Sequence, residues 1–409
     1  MYSYVLTSMK RQKSRSILVV LVNFVLAVLL NLYFGLIGSY QTQLHDLAVN
    51  TPIKCTITNP DGTMEVGISV SSEILRGLQA AEQIRDLDCS VQMKAGFGEF
   101  AIEDWKEHLN LIVSAVNKSD SSVLPEEMEI QYLDGWDETV FTGSERVCVL
   151  RKTEMDKQGY VCGEEFLLTV YYFYYNEKDE LWCGELPPVS FIIVGQIDDS
   201  DPVTSYEYPD VLLPFQTAWD LVEENQADFT ADAVSFYVKD PLALNAFKEE
   251  MGQIGELGLM EIYKGDNVRF SYKGTALYVQ DGTFITMADR LKTAIRILTA
   301  FLLPMGILVF IVGYVISHLL ANGRVKEFAL FRSLGMKAPL AVWVFWCEQF
   351  VLVLAGNVLG CLAALLVEQQ GFQEIMTVCG AAFGGYMLGT TVALALLAKE
   401  KALALLTTE

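Results

Sequence analysis

Four stretches of this chain are too apolar and too long for ordinary core helices, and they constrain its fold more than any other feature. "SILVVLVNFVLAVLLNLYFGLIG" (16–38) carries no charge. "LTAFLLPMGILVFIVGYVISHLLA" (298–321) is similar, a third run covers 341–366 with a single acid, Glu348, and "IMTVCGAAFGGYMLGTTVALALLA" (375–398) is Gly-rich and uncharged. About 20 apolar residues suffice to cross the hydrocarbon of a bilayer. Backbone groups inside that layer must be satisfied within the segment, so each run is expected to be a helix. Four transmembrane helices follow.

The charges divide along the same lines. The 409 residues sum to −22, but residues 41–290 hold 17 Lys+Arg against 45 Asp+Glu, a net of −28, while the rest is +6. So acidic a segment lacks the basic face that phosphate recognition requires, which argues against nucleic-acid binding. Basic residues mark cytoplasmic loops. The N-terminal tail has Lys10, Arg11, Lys13 and Arg15; the 321–340 loop has Arg324, Lys326, Arg332 and Lys337 against Glu327; the 367–374 loop has Glu368 and Glu374 and no base. Both termini and the 321–340 loop are therefore expected in the cytoplasm, with 41–290 and 367–374 outside. The first run exceeds the ~7–15 apolar residues of a secretory signal and no A-x-A-like site follows, so it reads as an uncleaved anchor.

The expected fold class is a membrane protein with four transmembrane helices and a large α+β extracytoplasmic domain between the first and second spans. In order, the chain reads as a basic tail (1–15), span 1 (16–38), the outer domain (39–285), and a stalk continuing into span 2 (286–321). A cytoplasmic loop (322–340), span 3 (341–366), an outer loop (367–374), span 4 (375–398) and a tail (399–409) complete it. A helix unbroken over 287–320 would reach about 50 Å, more than the ~30 Å hydrocarbon core needs. Length favours a stalk, although its basic face would also suit a helix lying on headgroups. Pro304 is expected to kink span 2.

Within the outer segment, "IKCTIT" and "MEVGISV" read as strands and "SSEILRGLQAAEQIRDL" as an amphipathic helix capped by Ser71 or Ser72. "EDWKEHLNLIVSAVN" reads as a second helix, "RVCVL", "EEFLLTVYYFYY" and "VSFIIVGQI" as strands, and "VLLPFQTAWDLVEE" as a helix. "AVSFYVK" is then a strand and "LALNAFKEEMGQIG" a helix.

The chain contains no Gly-Lys dipeptide, hence no Walker A loop. Three histidines and no C-x-x-C make a zinc site improbable, and no G-x-S-x-G elbow occurs. No catalytic, cofactor-binding or metal-ligating residue is assigned. Five cysteines lie outside, an odd number; Cys148 and Cys162 are the pair best placed to bridge neighbouring strands, against the alternative of five reduced thiols.

The cytoplasmic segment "GRVKEFALFRSLGM" (323–336) combines an apolar stripe, a basic face and a terminating glycine, Gly335. It resembles the segment that follows the second span in FtsX-like and MacB-like ABC transporter permeases, "ER..EFALLRSLGM" in type. The resemblance continues through Glu348 in "FWCEQFVL" to the spaced glycines Gly356 and Gly360, and includes the basic lead-in "MKRQKSRSIL". "ERVCVL", "SFIIVGQI" and "VLLPFQTA" resemble the MacB-like outer core more loosely. The chain departs from the pattern at Gly323, where many members carry Glu.

The resemblance implies a non-enzymatic permease subunit of the mechanotransmission type. It would couple a separate cytoplasmic ATPase, which binds ATP and Mg, to movement of the outer domain for export or extraction of a peptide, antibiotic or lipoprotein, or for activation of a cell-wall hydrolase. Its implied setting is the bacterial cytoplasmic membrane. The implied coupling residues are Arg324, Lys326, Glu327, Phe328, Phe331, Arg332 and Gly335, with Glu348 anchoring the segment through Arg332. Two permeases, identical or related, are expected to match an ATPase dimer. The small-xxx-small pairs Gly380/Gly384 and Gly385/Gly389 suit close helix packing. A different class of function also fits the acidity: a receptor whose outer domain senses a cationic peptide.

Overall fold

The computed structural model describes residues 12–99, 110–175, 181–199, 207–255, 257–259, 274–324, 327–328, 330–331, 335–367 and 371–404. Two units form: Met1–Leu47 with Ile285–Glu409, and Ala48–Phe284.

Eight α-helices are referred to below: α1 (Lys13–Asn50), α2 (Ser72–Ala80), α3 (Lys152–Gln158), α4 (Phe215–Glu224), α5 (Leu244–Met251), α6 (Gly282–Asn322), α7 (Ala338–Val367) and α8 (Phe372–Ala404). Four of them, α1, α6, α7 and α8, are long and apolar enough to cross a membrane, and they contain the four runs read from the sequence. The α+β unit lies between α1 and α6 in chain order. Pro304 sits inside α6 without ending it.

The first unit packs its helices through residues with little or no side chain. A Cβ on Gly356 would lie 2.6 Å from the Val20 carbonyl oxygen, and one on Gly360 2.5 Å from Ala27 Cβ, so α7 meets α1 backbone to backbone. Likewise α8 meets α6 where Gly389 faces the Phe310 carbonyl and Gly313 the Tyr386 carbonyl. A Cβ on Gly385 would lie 3.4 Å from Val309 Cγ1. A Cβ on Gly380 or Gly384 would meet nothing within 4 Å inside this chain. The pair Gly385/Gly389 is thus used within the chain, on α6. Ser317 of α6 bonds Thr390 of α8 at 2.8 Å, and Asn31 of α1 donates to the Ala27 carbonyl at 2.7 Å and to Cys379 Sγ of α8 at 3.2 Å.

The second unit is built on a 12-stranded mixed sheet. Its order is Gly258–Leu259, Ala276–Val279, Lys54–Thr58, Ala233–Val238, Ile84–Phe97, Leu111–Val116, Val211–Pro214, Val147–Arg151, Val189–Ile197, Glu165–Tyr175 and Leu181–Glu185, with Ile130–Tyr132 added on Val189–Ile197. Neighbours are antiparallel except at three places: Gly258–Leu259 with Ala276–Val279, Leu111–Val116 with Val211–Pro214, and Val147–Arg151 with Val189–Ile197. One core cluster gathers Val116, Phe141, Val149, Val194 and Leu212 from both sides of these joins.

Four readings of the outer segment need correction. The helix beginning at Ser72, capped by Ser71 as expected (Ile74 N–H to Ser71 Oγ, 3.5 Å), stops at Ala80, and Ile84–Phe97 is a strand. Pairing with segments far along the chain overrides the helical pattern there. Leu111–Val116, read as helix, is a strand held between two others; the preceding 101–109 lie outside the described residues. "VLLPFQTAWDLVEE" is a strand, Val211–Pro214, followed by helix α4; Pro214, lacking an N–H, serves as the helix N-cap. Of "MEVGISV", only Val70 belongs to a strand, because Gly67 takes a left-handed φ of +76°.

Candidate coupling site

The site lies at the end of α6, within the first unit. The helix closes at Asn322, whose amide meets His318 Nε2 at 2.9 Å. Two residues later the Arg324 side chain turns inward and is only 8% exposed. Its guanidinium forks onto the Glu348 carboxylate of α7: Nη2 donates to Oε1 at 2.9 Å and Nη1 to Oε2. Glu348 is 3% exposed. The pair is bidentate, the geometry in which Arg and carboxylate interact most strongly.

The third guanidinium nitrogen of Arg324 is also used. Nε donates to Gln12 Oε1 at 2.9 Å, and Gln12 Nε2 donates to Glu327 Oε1 at 3.3 Å. The Arg324 guanidinium carbon lies 5.8 Å from the Phe345 ring centroid, within cation–π range. Phe328, 4% exposed, and Phe331 pack on Phe345 with centroids 6.4 Å apart in each case. Gly335 adopts φ +87° and Met336 N–H returns to the Phe331 carbonyl at 3.1 Å, which closes the turn into α7. At Gly323 a Cβ would lie 2.8 Å from Arg15 Nη1, the far end of a flexible side chain.

Arg324, one of the implied coupling residues, is buried against this chain's own Glu348. Glu348 pairs with Arg324, whose position directly after α6 lets it reach back to α7, a partner not expected from the sequence. Lys326 and Arg332 lie outside the described residues. Glu327, Phe328 and Phe331 come together with Arg324. Gln12 and Phe345 were missed. Gln12 belongs to the basic lead-in, and only folding brings it against the loop; Phe345, one turn before Glu348 on a helix, carried the spacing signal that could have found it.

Among the described residues no group of three His, Cys, Asp or Glu could hold a metal ion. Cys148 and Cys162, the expected bridge, are both free thiols, as are Cys55 and Cys89. Burial pushes the Cys148 thiol far up, and less strongly raises that of the part-exposed Cys162.

No family model and no curated protein matches the chain. Among solved structures, the chain is similar to the periplasmic region of MacB from Actinobacillus actinomycetemcomitans, at 12% identity over 57% of this chain and 92% of that one, with a TM-score of 0.31. It is also similar to the extracellular domain of the noncanonic ABC-type transporter YknZ from Gram-positive bacteria, at 15% identity over 49% and 92%, with a TM-score of 0.28.

Proposed function

We propose that this chain is a mechanotransmitting ABC permease subunit, with residues 323–336 as the handle by which a separate cytoplasmic ATPase moves α6. The observation that carries the reading is the Arg324–Glu348 fork. A segment that receives a push must transmit it rather than fold away, and this one is tied at its start to α7 by a buried bidentate pair and to the residue preceding α1 through Gln12. The motif-level resemblance of "GRVKEFALFRSLGM" supplies the partner. ATP and Mg would be bound by that ATPase, this chain contributing no catalytic group.

Helix α6 suits the role of lever. Its 41 residues extend to about 60 Å, about twice the hydrocarbon thickness, so a displacement at its cytoplasmic end has a continuous rigid path outward. The positive bias of the tail and loop supports a cytoplasmic location for both termini and the handle, and the family resemblance supports a bacterial plasma membrane. A second permease, identical or related, completes the pairing with two ATPase subunits.

The test uses residues that can touch a partner without holding the fold. Leu330 is 60% exposed on the handle, whereas Arg324 and Phe328 are interior. The full-length tagged chain is isolated from its native membrane in mild detergent, as wild type and as Leu330→Asp. An ATPase subunit is expected with the wild type and lost with the variant at unchanged melting temperature. Absence of any ATPase from the wild type, or its retention by Leu330→Asp, overturns the reading.

A further inference from the structure

In the α+β unit, one edge of the strand Ile84–Phe97 is covered by two different strands. Ala233–Val238 pairs with residues 84–90 and Glu165–Tyr175 with residues 94–97. Among the described residues, no strand pairs with 91–93 on that edge. The gap is filled by Asp232, which gives its N–H to the Ser90 carbonyl at 2.9 Å and accepts the Gln92 N–H on its carboxylate at 2.6 Å. A carboxylate thus stands where a strand carbonyl would. In an extended strand the N–H and C=O of one residue point the same way, so the Gln92 carbonyl is directed into the same gap.

The gap opens into a cavity of about 230 Å³, lined by Gln92, Lys94, Tyr172, Asp228, Phe229 and Asp232 among others. One wall is rigid and aromatic. Phe229 is 2% exposed, stacks on Trp219 with centroids 5.4 Å apart and planes 7° apart, and meets Phe215 edge-on at 5.4 Å. The lining also carries two carboxylates: Asp232, half-buried, and Asp228, exposed. The Asp232 carboxyl is pushed up to about 6 by burial, partly offset by the Gln92 bond. An asparagine would make the same bond to Gln92 without that ionisation cost.

We infer that this cavity binds an organic cation, an ammonium group on an apolar stem, with Asp232 as counter-ion. The ammonium donates to the Asp232 carboxylate and the Gln92 carbonyl while the stem lies against Phe229 and Tyr172. The net −28 of residues 41–290 concentrates cations around the unit. Lys94 lines the same cavity as a like charge, so its removal should tighten binding. The inference is independent of the coupling site and of the permease reading.

Full-length protein in detergent is titrated with phenethylamine, with its neutral counterpart 2-phenylethanol, and with N-acetyl-lysine amide, binding being followed by ligand-observed NMR. Saturable binding of an amine at pH 7 is expected, at least fivefold tighter than that of 2-phenylethanol and weakened at least fivefold in Asp232→Asn. Lys94→Met is expected to strengthen it, an opposite change that misfolding would not produce. Tighter binding of the lysine amide identifies a peptide side chain as the source of the ammonium; tighter binding of phenethylamine identifies a free amine. No saturable amine binding to wild type, equal binding of amine and alcohol, or binding unaffected by both substitutions overturns the inference.

Discussion

Removing the Glu348 carboxylate should unfold the first unit more readily, by an amount set by what Arg324 then loses. In the wild type the guanidinium makes two bonds to Glu348 and one to Gln12, and both ionised side chains are under 10% exposed. Glu348→Ala leaves a buried arginine with only the Gln12 bond and the Phe345 face. Breaking a buried pair from one side costs about 3–5 kcal/mol, whereas replacing both partners by apolar groups is often neutral, because the desolvation of both ions is then avoided. For a unit of this size 1 kcal/mol moves the melting temperature by about 2–4 °C, so Glu348→Ala should lower it by roughly 10 °C. Arg324→Met should cost a similar amount. The double variant Arg324→Met/Glu348→Leu should lie well above the sum of the singles, with a coupling energy of at least about 2 kcal/mol. Thermal unfolding of the full chain in detergent, followed by tryptophan fluorescence, measures all four proteins. A Glu348→Ala variant melting within about 2 °C of wild type, or a double variant equal to the sum of its singles, refutes the reasoning.

Three further outcomes test other parts of the structure. Gly389→Ala puts a Cβ against the Phe310 carbonyl, so α8 and α6 must separate, at a cost of about 1–3 kcal/mol, whereas Gly384→Ala enters open space and should stay within about 0.5 kcal/mol; melting temperatures compare them. Maleimide labelling counted by mass should modify Cys162 in the native protein and Cys148 only after unfolding, since a buried thiol with a raised pKa presents almost no thiolate. Asp232→Asn should stabilise the α+β unit at pH 7 by up to about 3 kcal/mol. The folded-state pKa, about 6 against an ordinary 3.8, penalises the ionised native form. That penalty is full above pH 6, declines as pH falls and vanishes below about 4, so the advantage of the variant over wild type should shrink in the same window. Lys94 and Asp228 line the same cavity and oppose each other in this balance. Equal melting of variant and wild type at pH 7 and pH 4 would remove the raised pKa from the argument.

What was legible in the sequence divides by how local its cause is. The apolar helices were legible because lipid leaves a chain one way to satisfy its backbone over twenty residues. Glu348 stood out as the lone acid in such a run. Its pairing with Arg324 did not, because that depends on how the chain turns after Asn322, where Phe328 and Phe331 pack on Phe345. In the α+β unit the errors fall where pairing is most distant. Residues 84–97 bond to strands beginning near 111, 165 and 233, and Leu111–Val116 to Val211–Pro214, so no window of local periodicity contains their partners. Gln12 and Asp232 escaped notice for the same reason: each bridges segments that only the fold makes neighbours.

The two carboxylates on which the site arguments rest separate a structural role from a ligand-binding one by sign. Glu348 is fully answered inside the chain, by a bidentate arginine that is itself held by Gln12 and Phe345. Asp232 makes one bond, to a backbone N–H, and lies beside a cavity. Both carboxylates are withdrawn from water, yet only the first meets a full counter-charge within the protein. Neutralising a group already answered should therefore destabilise, and neutralising one that awaits a partner should stabilise. Glu348→Gln and Asp232→Asn make the same chemical change in one polypeptide. If Glu348→Gln lowers stability at pH 7 while Asp232→Asn raises it, Glu348 belongs to the scaffold of the handle and Asp232 to a site that the fold maintains at its own expense. If both lower it, Asp232 is a strand filler, and the cavity beside it loses its counter-ion role.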